Sequence, residues 1–176
     1  MKKNIFIWQV AGLTFTAVLG TILHFLFEWT NLIIFAPISA VNESTFEHMK
    51  LIFVPSLIFA IVQSCFLKGD YKCFWPVKFI GIFLGTLLLP VLFYTLGGAF
   101  GTLPAVINVL IFFVAVIVEY FFELWLFEKK DCSFCNKWVY LSILIGIFIL
   151  FIVFTFYPPE IPLFLDPVTK GYGIVK

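Results

Sequence analysis

The stretch Asn42-Glu43-Ser44-Thr45-Phe46-Glu47-His48-Met49-Lys50 is the densest run of ionisable and hydroxyl side chains in a strongly apolar chain. It separates the first two apolar segments. Within it, Ser44-x-x-Glu47 is the pattern of a capping box, in which a hydroxyl and a carboxyl group bond free N–H groups of a first helical turn. The stretch therefore predicts the start of a second helix, with polar groups gathered at one end of the fold.

The composition predicts that the solvent of this chain is lipid. Hydrophobic residues make up 62% and charged residues 12% of the 176 residues, and the mean hydropathy is +1.11. Soluble domains carry about 25% charged residues, because they must cover their core with polar surface. A chain of this length forms one compact bundle without a separate soluble domain.

The charge of the chain argues against some classes of partner. The formal net charge is +1, and all 11 basic residues are lysines. Nucleic-acid binding depends on a basic field, and arginine is the usual bidentate ligand of phosphate. Membrane lipid is therefore the expected partner, nucleic acid is not expected, and the sequence identifies no protein partner.

Five apolar runs predict an all-α integral membrane bundle of five transmembrane helices, which occupies the chain as one domain. A shorter apolar segment at 31–41 has only about half the length needed to span a bilayer. It is expected to lie in the membrane interface before helix 2. The C-terminal tail is proline-rich and is expected to be extended. The predicted spans are 5–29, 44–67, 75–95, 103–127 and 138–157, and the tail covers 158–176.

The lysines predict the orientation of these spans, because cytoplasmic loops carry an excess of basic residues. The expected location is the plasma membrane, with a cytoplasmic N-terminus and an extracytoplasmic C-terminus. The motif at 42–50 and the tail then share the outer face. With this orientation Lys2, Lys3, Lys68, Lys72, Lys78, Lys129, Lys130 and Lys137 are inside, and Lys50, Lys170 and Lys176 are outside.

The polar groups of the outer face indicate a metal or acid–base site. His24 and Glu28 are spaced i, i+4 and share one helix face, as do Glu43 and Glu47. Two imidazoles with carboxylates suit zinc or another divalent transition ion, and a carboxylate beside a histidine suits general acid–base catalysis. We therefore predict His24, Glu47 and His48 as metal ligands, and Glu43, Glu47 and His48 as catalytic groups.

A purely structural explanation competes with this prediction. Acidic residues in a first helical turn favour the positive end of the helix dipole, and a helix start needs caps. This accounts for Glu43 and Glu47. It does not account for His24 and Glu28, which are ionisable groups within or at the edge of an apolar span.

A second pair of acids, Glu119 and Glu123, lies at i, i+4 on the inner half of the fourth helix. Glu119 is predicted as a proton or cation relay, with Gln9 and Gln63 at similar depth. The alternative is that Glu119 hydrogen-bonds to a glutamine in the bundle. Glu123 is expected to reach the membrane interface. Gly81-x-x-x-Gly85 predicts a close contact between helices.

Cys132-Ser133-Phe134-Cys135 is a C-x-x-C motif in a turn on the inner side. It is typical of half a zinc site or of a redox pair. Cys132 and Cys135 are therefore further candidate metal ligands, and reduced cysteines in a loop are the alternative.

The motif Asn-Glu-Ser-x-Phe-Glu-His-x-Lys at 42–50 and the tail at 162–173, Pro-Leu-Phe-Leu-Asp-Pro-Val-Thr-Lys-Gly-Tyr-Gly, carry a family resemblance. The chain resembles small, functionally uncharacterised bacterial multi-pass membrane proteins with an N-E-S-x-[FW]-E-H-x-K motif and a P-L-F-x-D-P-x-T-x-x-Y-G tail. The resemblance implies that the two segments belong together, and it implies no activity.

The shared outer face makes the tail a candidate lid over the site. The predicted substrate contacts are His24, Glu28, Asn42, Asp166 and Tyr172. The leading hypothesis is a metal- or acid–base-dependent hydrolase or transferase that acts on a lipid-type substrate at the membrane interface.

Two other functions fit the sequence. A transporter or channel for a cation or small solute would need a continuous polar route from the outer cluster to Glu119. A closed apolar layer beneath the outer cluster would instead favour the enzyme. A non-catalytic assembly or partner-binding membrane protein would use the motif for structure alone.

Overall fold

The computed structural model of the protein describes residues 4–71, 73–129 and 136–174. The fold is all-α, as predicted, with no β-strand in those ranges. Five helices are long and apolar enough to cross a membrane, in agreement with the predicted number of spans. They are α1 (Ile5–Thr30), α2 (Thr45–Leu67), α3 (Phe74–Phe100), α4 (Ala105–Glu128) and α5 (Lys137–Phe156), with a 3-10 helix at Ile33–Phe35.

Helices α1 to α4 form a ring in which each helix contacts the next and α4 contacts α1. Helix α5 lies outside the ring, against α3 and α2. Helix α2 is the most buried, with 67% of its most apolar stretch inside the protein, against 17% to 33% in the other helices. We call the end of the bundle where α1 and α3 begin the N-terminal end, and the end where α2 begins the tail end.

The start of α2 is capped much as the sequence predicts. Ser44 is the N-cap, and its hydroxyl accepts a hydrogen bond from the Glu47 N–H at 3.4 Å. The reciprocal bond of a capping box is absent: the Ser44 N–H instead donates to Asn42 Oδ1 at 2.9 Å. The Glu47 carboxylate reaches further back and accepts from the Val41 N–H at 3.0 Å.

A buried ion pair lies behind this cap. The Lys50 side chain is 0% exposed, and its ammonium lies 2.6 Å from the Glu47 carboxylate. The same ammonium donates to the Ala36 carbonyl at 2.9 Å and to the Thr155 hydroxyl at 2.8 Å. Because an ammonium has three donors, all of them are satisfied. The pair therefore joins α2 to α5 and to the segment that precedes α2.

Residues 31–43 connect the end of α1 to the start of α2, and both of these lie at the tail end of the bundle. The Ala40 N–H donates to the Leu23 carbonyl at 3.3 Å, which holds this segment against α1. Ile33 and Ile34 are 63% and 74% exposed, whereas Ala36 is fully buried. One side of the segment is thus packed on the bundle, and the other presents apolar side chains outward.

The tail is non-helical, as expected, but residues 158–174 form turns rather than an extended strand. Asp166 is buried, and its carboxylate accepts from the Thr169 hydroxyl at 2.7 Å, which closes one turn. The Leu163 carbonyl accepts from the Phe46 N–H, one of the free donors in the first turn of α2. The Phe164 ring lies 4.4 Å from the Phe46 ring, centroid to centroid. The tail therefore completes the cap of α2.

Two glycines of α3 face two acids of α4. A Cβ atom built on Gly81 would lie 2.2 Å from Glu123 Cγ, and one on Gly85 would lie 2.7 Å from Glu119 Oε2. Any side chain at either position would collide with a carboxyl group. The two glycines of the small-residue motif therefore allow α3 to pack directly against the two acids of α4.

A third close approach joins α1 to α2. Pro55 has no N–H, so the Leu51 carbonyl cannot make its usual helical hydrogen bond. A Cβ on Gly20 would lie 2.5 Å from that carbonyl oxygen and 2.8 Å from the Phe112 ring. Gly20 thus lets α1 pack directly on the α2 backbone at this level.

Helix α3 is longer than its predicted span. It continues through Pro90 and through Gly97 and Gly98, which lie beyond the predicted span of 75–95. The helix ends at Phe100, and its C-cap is Gly101, whose φ of 81° favours glycine. Among the described residues, no atom lies within 4 Å of a Cβ built at Gly97 or Gly98, so both positions have room for a side chain.

Replacing Gly81 by alanine should destabilise the protein, because the new methyl group collides with Glu123. The expected loss in the free energy of unfolding is about 1–3 kcal/mol, the usual cost of overpacking. Chemical unfolding in detergent, followed by circular dichroism, measures it. Gly97→Ala is the matched control on the same helix, and it should be neutral or stabilising by up to about 1 kcal/mol. Equal losses in the two variants would contradict the packing described here.

Replacing Lys50 by methionine should leave the buried Glu47 carboxylate without its counter-ion. The expected loss in the free energy of unfolding is about 3–5 kcal/mol, as for other broken buried pairs. Lys68→Met, which removes an exposed lysine from the other end of α2, is the control and should change stability little. A Lys50→Met protein as stable as the Lys68→Met protein would show that the pair does not organise the tail end.

Candidate functional site

Three side chains from three parts of the chain converge at the tail end. His24 lies near the end of α1, Glu43 lies in the segment just before α2, and His48 lies in the first turn of α2. The hydrogen bond between Ala40 and Leu23 brings the segment that carries Glu43 against α1. The three residues offer ligand atoms that all lie within 4.8 Å of one another.

The spacing of these atoms is close to that of a metal site. His24 Nε2 lies 3.7 Å from Glu43 Oε1, and His48 Nε2 lies 3.5 Å from Glu43 Oε2. Two ligands of a tetrahedral zinc ion, each about 2.1 Å from the metal, lie about 3.4 Å apart. The distance from the carboxylate to each imidazole is thus close to the spacing of two zinc ligands.

The hydrogen bond of His48 suits it to bind a cation. Its Nδ1 lies 2.8 Å from the Ser44 carbonyl, which can only accept, so Nδ1 carries the proton. In the neutral ring Nε2 then has a free lone pair, and this is the atom that faces Glu43. Ligating histidines normally donate their other N–H to such a partner. His24 differs, because its Nδ1 is buried and has no hydrogen-bond partner among the described residues.

The cluster is open on one side and closed on the other. The side chains of His24, His48 and Glu43 are 24%, 26% and 51% exposed. About one turn further into the bundle, Gly20, Leu51 and Phe112 are in close contact. Small molecules can therefore reach the cluster from the end of the bundle, and an apolar layer lies beneath it.

The residues that the structure brings together at this site differ in part from those predicted from the sequence. Glu43, rather than Glu47, lies beside the two histidines, because the Glu47 carboxylate is held by Lys50. Thr155 also approaches the Glu47 carboxylate, at 3.3 Å. Glu28 is exposed, about one turn beyond His24, and is not a member of the cluster.

The other predicted substrate-binding residues make hydrogen bonds within the tail or to it. Asn42 Nδ2 donates to the Gly173 carbonyl at 2.8 Å. Asp166 accepts hydrogen bonds within its own turn, and Tyr172 forms a backbone bridge with Leu165. These contacts position the tail beside the start of α2.

The inner acids lie in a separate polar network at the N-terminal end. Glu123 Oε2 accepts from Lys78 Nζ at 2.6 Å and from Gln9 Nε2 at 2.8 Å, and Gln63 donates to Gln9 at 3.1 Å. Glu119 makes no such bond to a glutamine. The expectation that Glu123 reaches the interface is wrong, because its side chain is 0% exposed.

Sequence reasoning missed the role of Lys78, which it counted as a cytoplasmic lysine. Lys78 lies inside α3 with a side chain that is 0% exposed. Its position within an apolar run, three residues before Gly81, is the signal that could have found it. Of the remaining candidates, Cys132 and Cys135 lie outside the described residues.

Comparison with known proteins gives the chain a family and no function. No curated protein and no solved structure matches it. A family model described as a family of unknown function matches residues 1–174. This agrees with the resemblance to an uncharacterised family that the motif and tail indicate. The chain therefore belongs to the family of unknown function DUF6512.

Proposed function

We propose that this protein is a multi-pass membrane protein whose His24–Glu43–His48 cluster binds a divalent metal ion. We further propose that the metal serves a hydrolase or transferase reaction on a lipid-type substrate. The observation that carries the proposal is the convergence of two imidazoles and one carboxylate, from three parts of the chain, within 4.8 Å.

The outer surface of the helices supports insertion in a membrane. Large apolar side chains are exposed along each of them, such as Ile7 on α1, Phe121 on α4 and Ile145 on α5. The lysine bias supports a cytoplasmic N-terminal end in the plasma membrane. The bias remains when buried Lys50 and Lys78 are left out, because each side loses one lysine. The metal cluster then faces outward.

The ligand set supports a catalytic rather than a purely structural metal. Two histidines and one carboxylate form a recurrent set for catalytic zinc, in which the fourth position holds water or substrate. Structural zinc sites instead have four protein ligands and are closed. Glu43 is half exposed, so water has access to the remaining position.

The position of the cluster supports a lipid-type substrate. The neighbouring segment exposes Leu32, Ile33 and Ile34, which suits the boundary between headgroups and acyl chains. The apolar layer beneath the cluster favours an enzyme over a channel, because it interrupts the polar route to Glu119. In this proposal Glu47 holds the start of α2 in place instead of reacting.

The metal proposal predicts about one zinc ion per chain in the detergent-purified, zinc-equilibrated protein. His24→Ala, Glu43→Gln and His48→Ala each remove one ligand and should reduce bound zinc to near zero. Inductively coupled plasma mass spectrometry, normalised to protein by amino-acid analysis, measures the ratio.

Glu160→Gln is the matched control for this measurement. It removes one exposed carboxylate from the tail without touching the cluster. Zinc retained in His48→Ala at the level of Glu160→Gln would contradict the site.

The catalytic proposal predicts turnover of lipid that depends on the metal. In vesicles of phosphatidylglycerol and phosphatidylethanolamine, the reconstituted protein should form products that mass spectrometry detects in lipid extracts. A chelator should abolish the reaction and zinc should restore it. His48→Ala should lower the rate at least about 100-fold, while Glu160→Gln keeps it. Metal binding without turnover of either lipid would contradict the substrate class and leave the metal site standing.

A further inference from the structure

The contact between α3 and α4 holds two carboxyl groups and one ammonium away from solvent. Lys78, Glu119 and Glu123 are all 0% exposed. Lys78 Nζ lies 2.6 Å from Glu123 Oε2 and makes an ion pair with it. Glu119 lies one turn before Glu123 on the same helix, so the two carboxyls are neighbours. One ammonium can neutralise only one of them.

The second carboxyl has no partner of its own. Both oxygens of Glu119 and the Oε1 atom of Glu123 are buried without a hydrogen-bond partner among the described residues. Ser56 lies near enough to interact with Glu119, but the geometry of a hydrogen bond is not met. An isolated carboxylate in such a place costs several kcal/mol and is neutralised instead.

On the side of α3, the packing against the two carboxyls leaves no room for a metal ion with its ligand shell. Gly85 and Gly81 lie directly against Glu119 and Glu123, and a single methyl group on either glycine would collide. A proton needs no cavity. It is therefore the cation that fits this site.

The other groups around the site supply no second positive charge. Helix α1 contributes the Gln9 amide and the Thr16 hydroxyl, and α2 contributes Ser56 and Gln63. The phenol of Tyr120 on α4 is hydrogen-bonded to Thr16 at 2.8 Å, and Lys78 lies over its ring. Lys78 is thus the only cation among the described residues that faces the pair.

The site lies close to the N-terminal end of the bundle. Gln9 is four residues from the start of α1 and Glu123 is five from the end of α4, a rise of about 6–8 Å. The amides of Gln9 and Gln63 extend the hydrogen bonds of Glu123 to α1 and α2 at a similar depth. On the other side, the contact of Gly20, Leu51 and Phe112 separates the site from the metal cluster.

We propose that Glu119 and Glu123 form a proton-binding site within the bundle, which holds one proton per chain and exchanges it with the N-terminal end. Glu119 carries the proton, and Lys78 neutralises Glu123. The site is independent of the metal cluster and is present whether or not that cluster binds an ion.

Infrared spectroscopy of the full-length protein in detergent at neutral pH tests the proposal, because a protonated carboxyl gives a carbonyl band distinct from that of a carboxylate. The band should correspond to one acid per chain and should shift after transfer to heavy water. Charge neutrality predicts its loss in Glu119→Gln, where Glu123 keeps its ion pair. It also predicts its loss in Glu123→Gln, where Glu119 ionises to pair with Lys78.

Lys78→Met should have the opposite effect, because without the ammonium both acids hold protons and the band doubles. Glu43→Gln and Glu160→Gln are controls that leave the band unchanged. The two glutamine variants preserve side-chain shape, so the test does not depend on the folding of Lys78→Met. Absence of the band in the unmodified protein, its survival in Glu119→Gln or its failure to shift in heavy water would each overturn the proposal.

Discussion

The buried ion pair of Lys50 and Glu47 fixes the geometry of the tail end. The Lys50 ammonium bonds to three partners, which lie in α2, in α5 and in the segment before α2, so it joins three parts of the chain. The Glu47 carboxylate also holds the Val41 N–H and thereby sets the approach to the N-cap. Replacing such a pair by apolar residues often costs little, but breaking it by removing one partner costs much. The main contribution of this pair is therefore to position the start of α2, because it brings His48 and Glu43 to the side of α1 that carries His24.

The bundle repeats this arrangement at its other end. Lys78 and Glu123 form a second ion pair with both side chains 0% exposed, and glycines of α3 provide the space for it. Between the two charged regions, Gly20, Leu51 and Phe112 form an apolar layer. The buried ionisable groups of the described residues thus lie in two separate places, one at each end of the bundle. One of them adjoins the partly exposed cluster of His24, Glu43 and His48, which suits the proposed metal and substrate. The other is closed and packed on backbone, which suits a proton.

Local patterns predicted most of the fold. Hydropathy identified the five helices, and Ser44 identified the start of α2, because both signals depend only on neighbouring residues.

The sequence could not predict whether Glu43 or Glu47 is the partner of the two histidines. It depends on Lys50, which neutralises Glu47, and on the hydrogen bond from Ala40 to Leu23 that returns the segment to α1. The pairing of Lys78 with Glu123 links residues 45 positions apart, which helical spacing does not reach.

The most direct test of the proposed metal site at His24, Glu43 and His48 is X-ray absorption at the zinc edge of the zinc-loaded protein, because it identifies the ligands themselves. The proposal predicts nitrogen and oxygen neighbours of the zinc at about 2.0–2.2 Å. It also predicts the outer-shell scattering of two imidazoles, with one imidazole lost in His48→Ala. A first shell of sulfur at about 2.3 Å, or a spectrum unchanged in His48→Ala, would contradict it and place the zinc elsewhere in the chain.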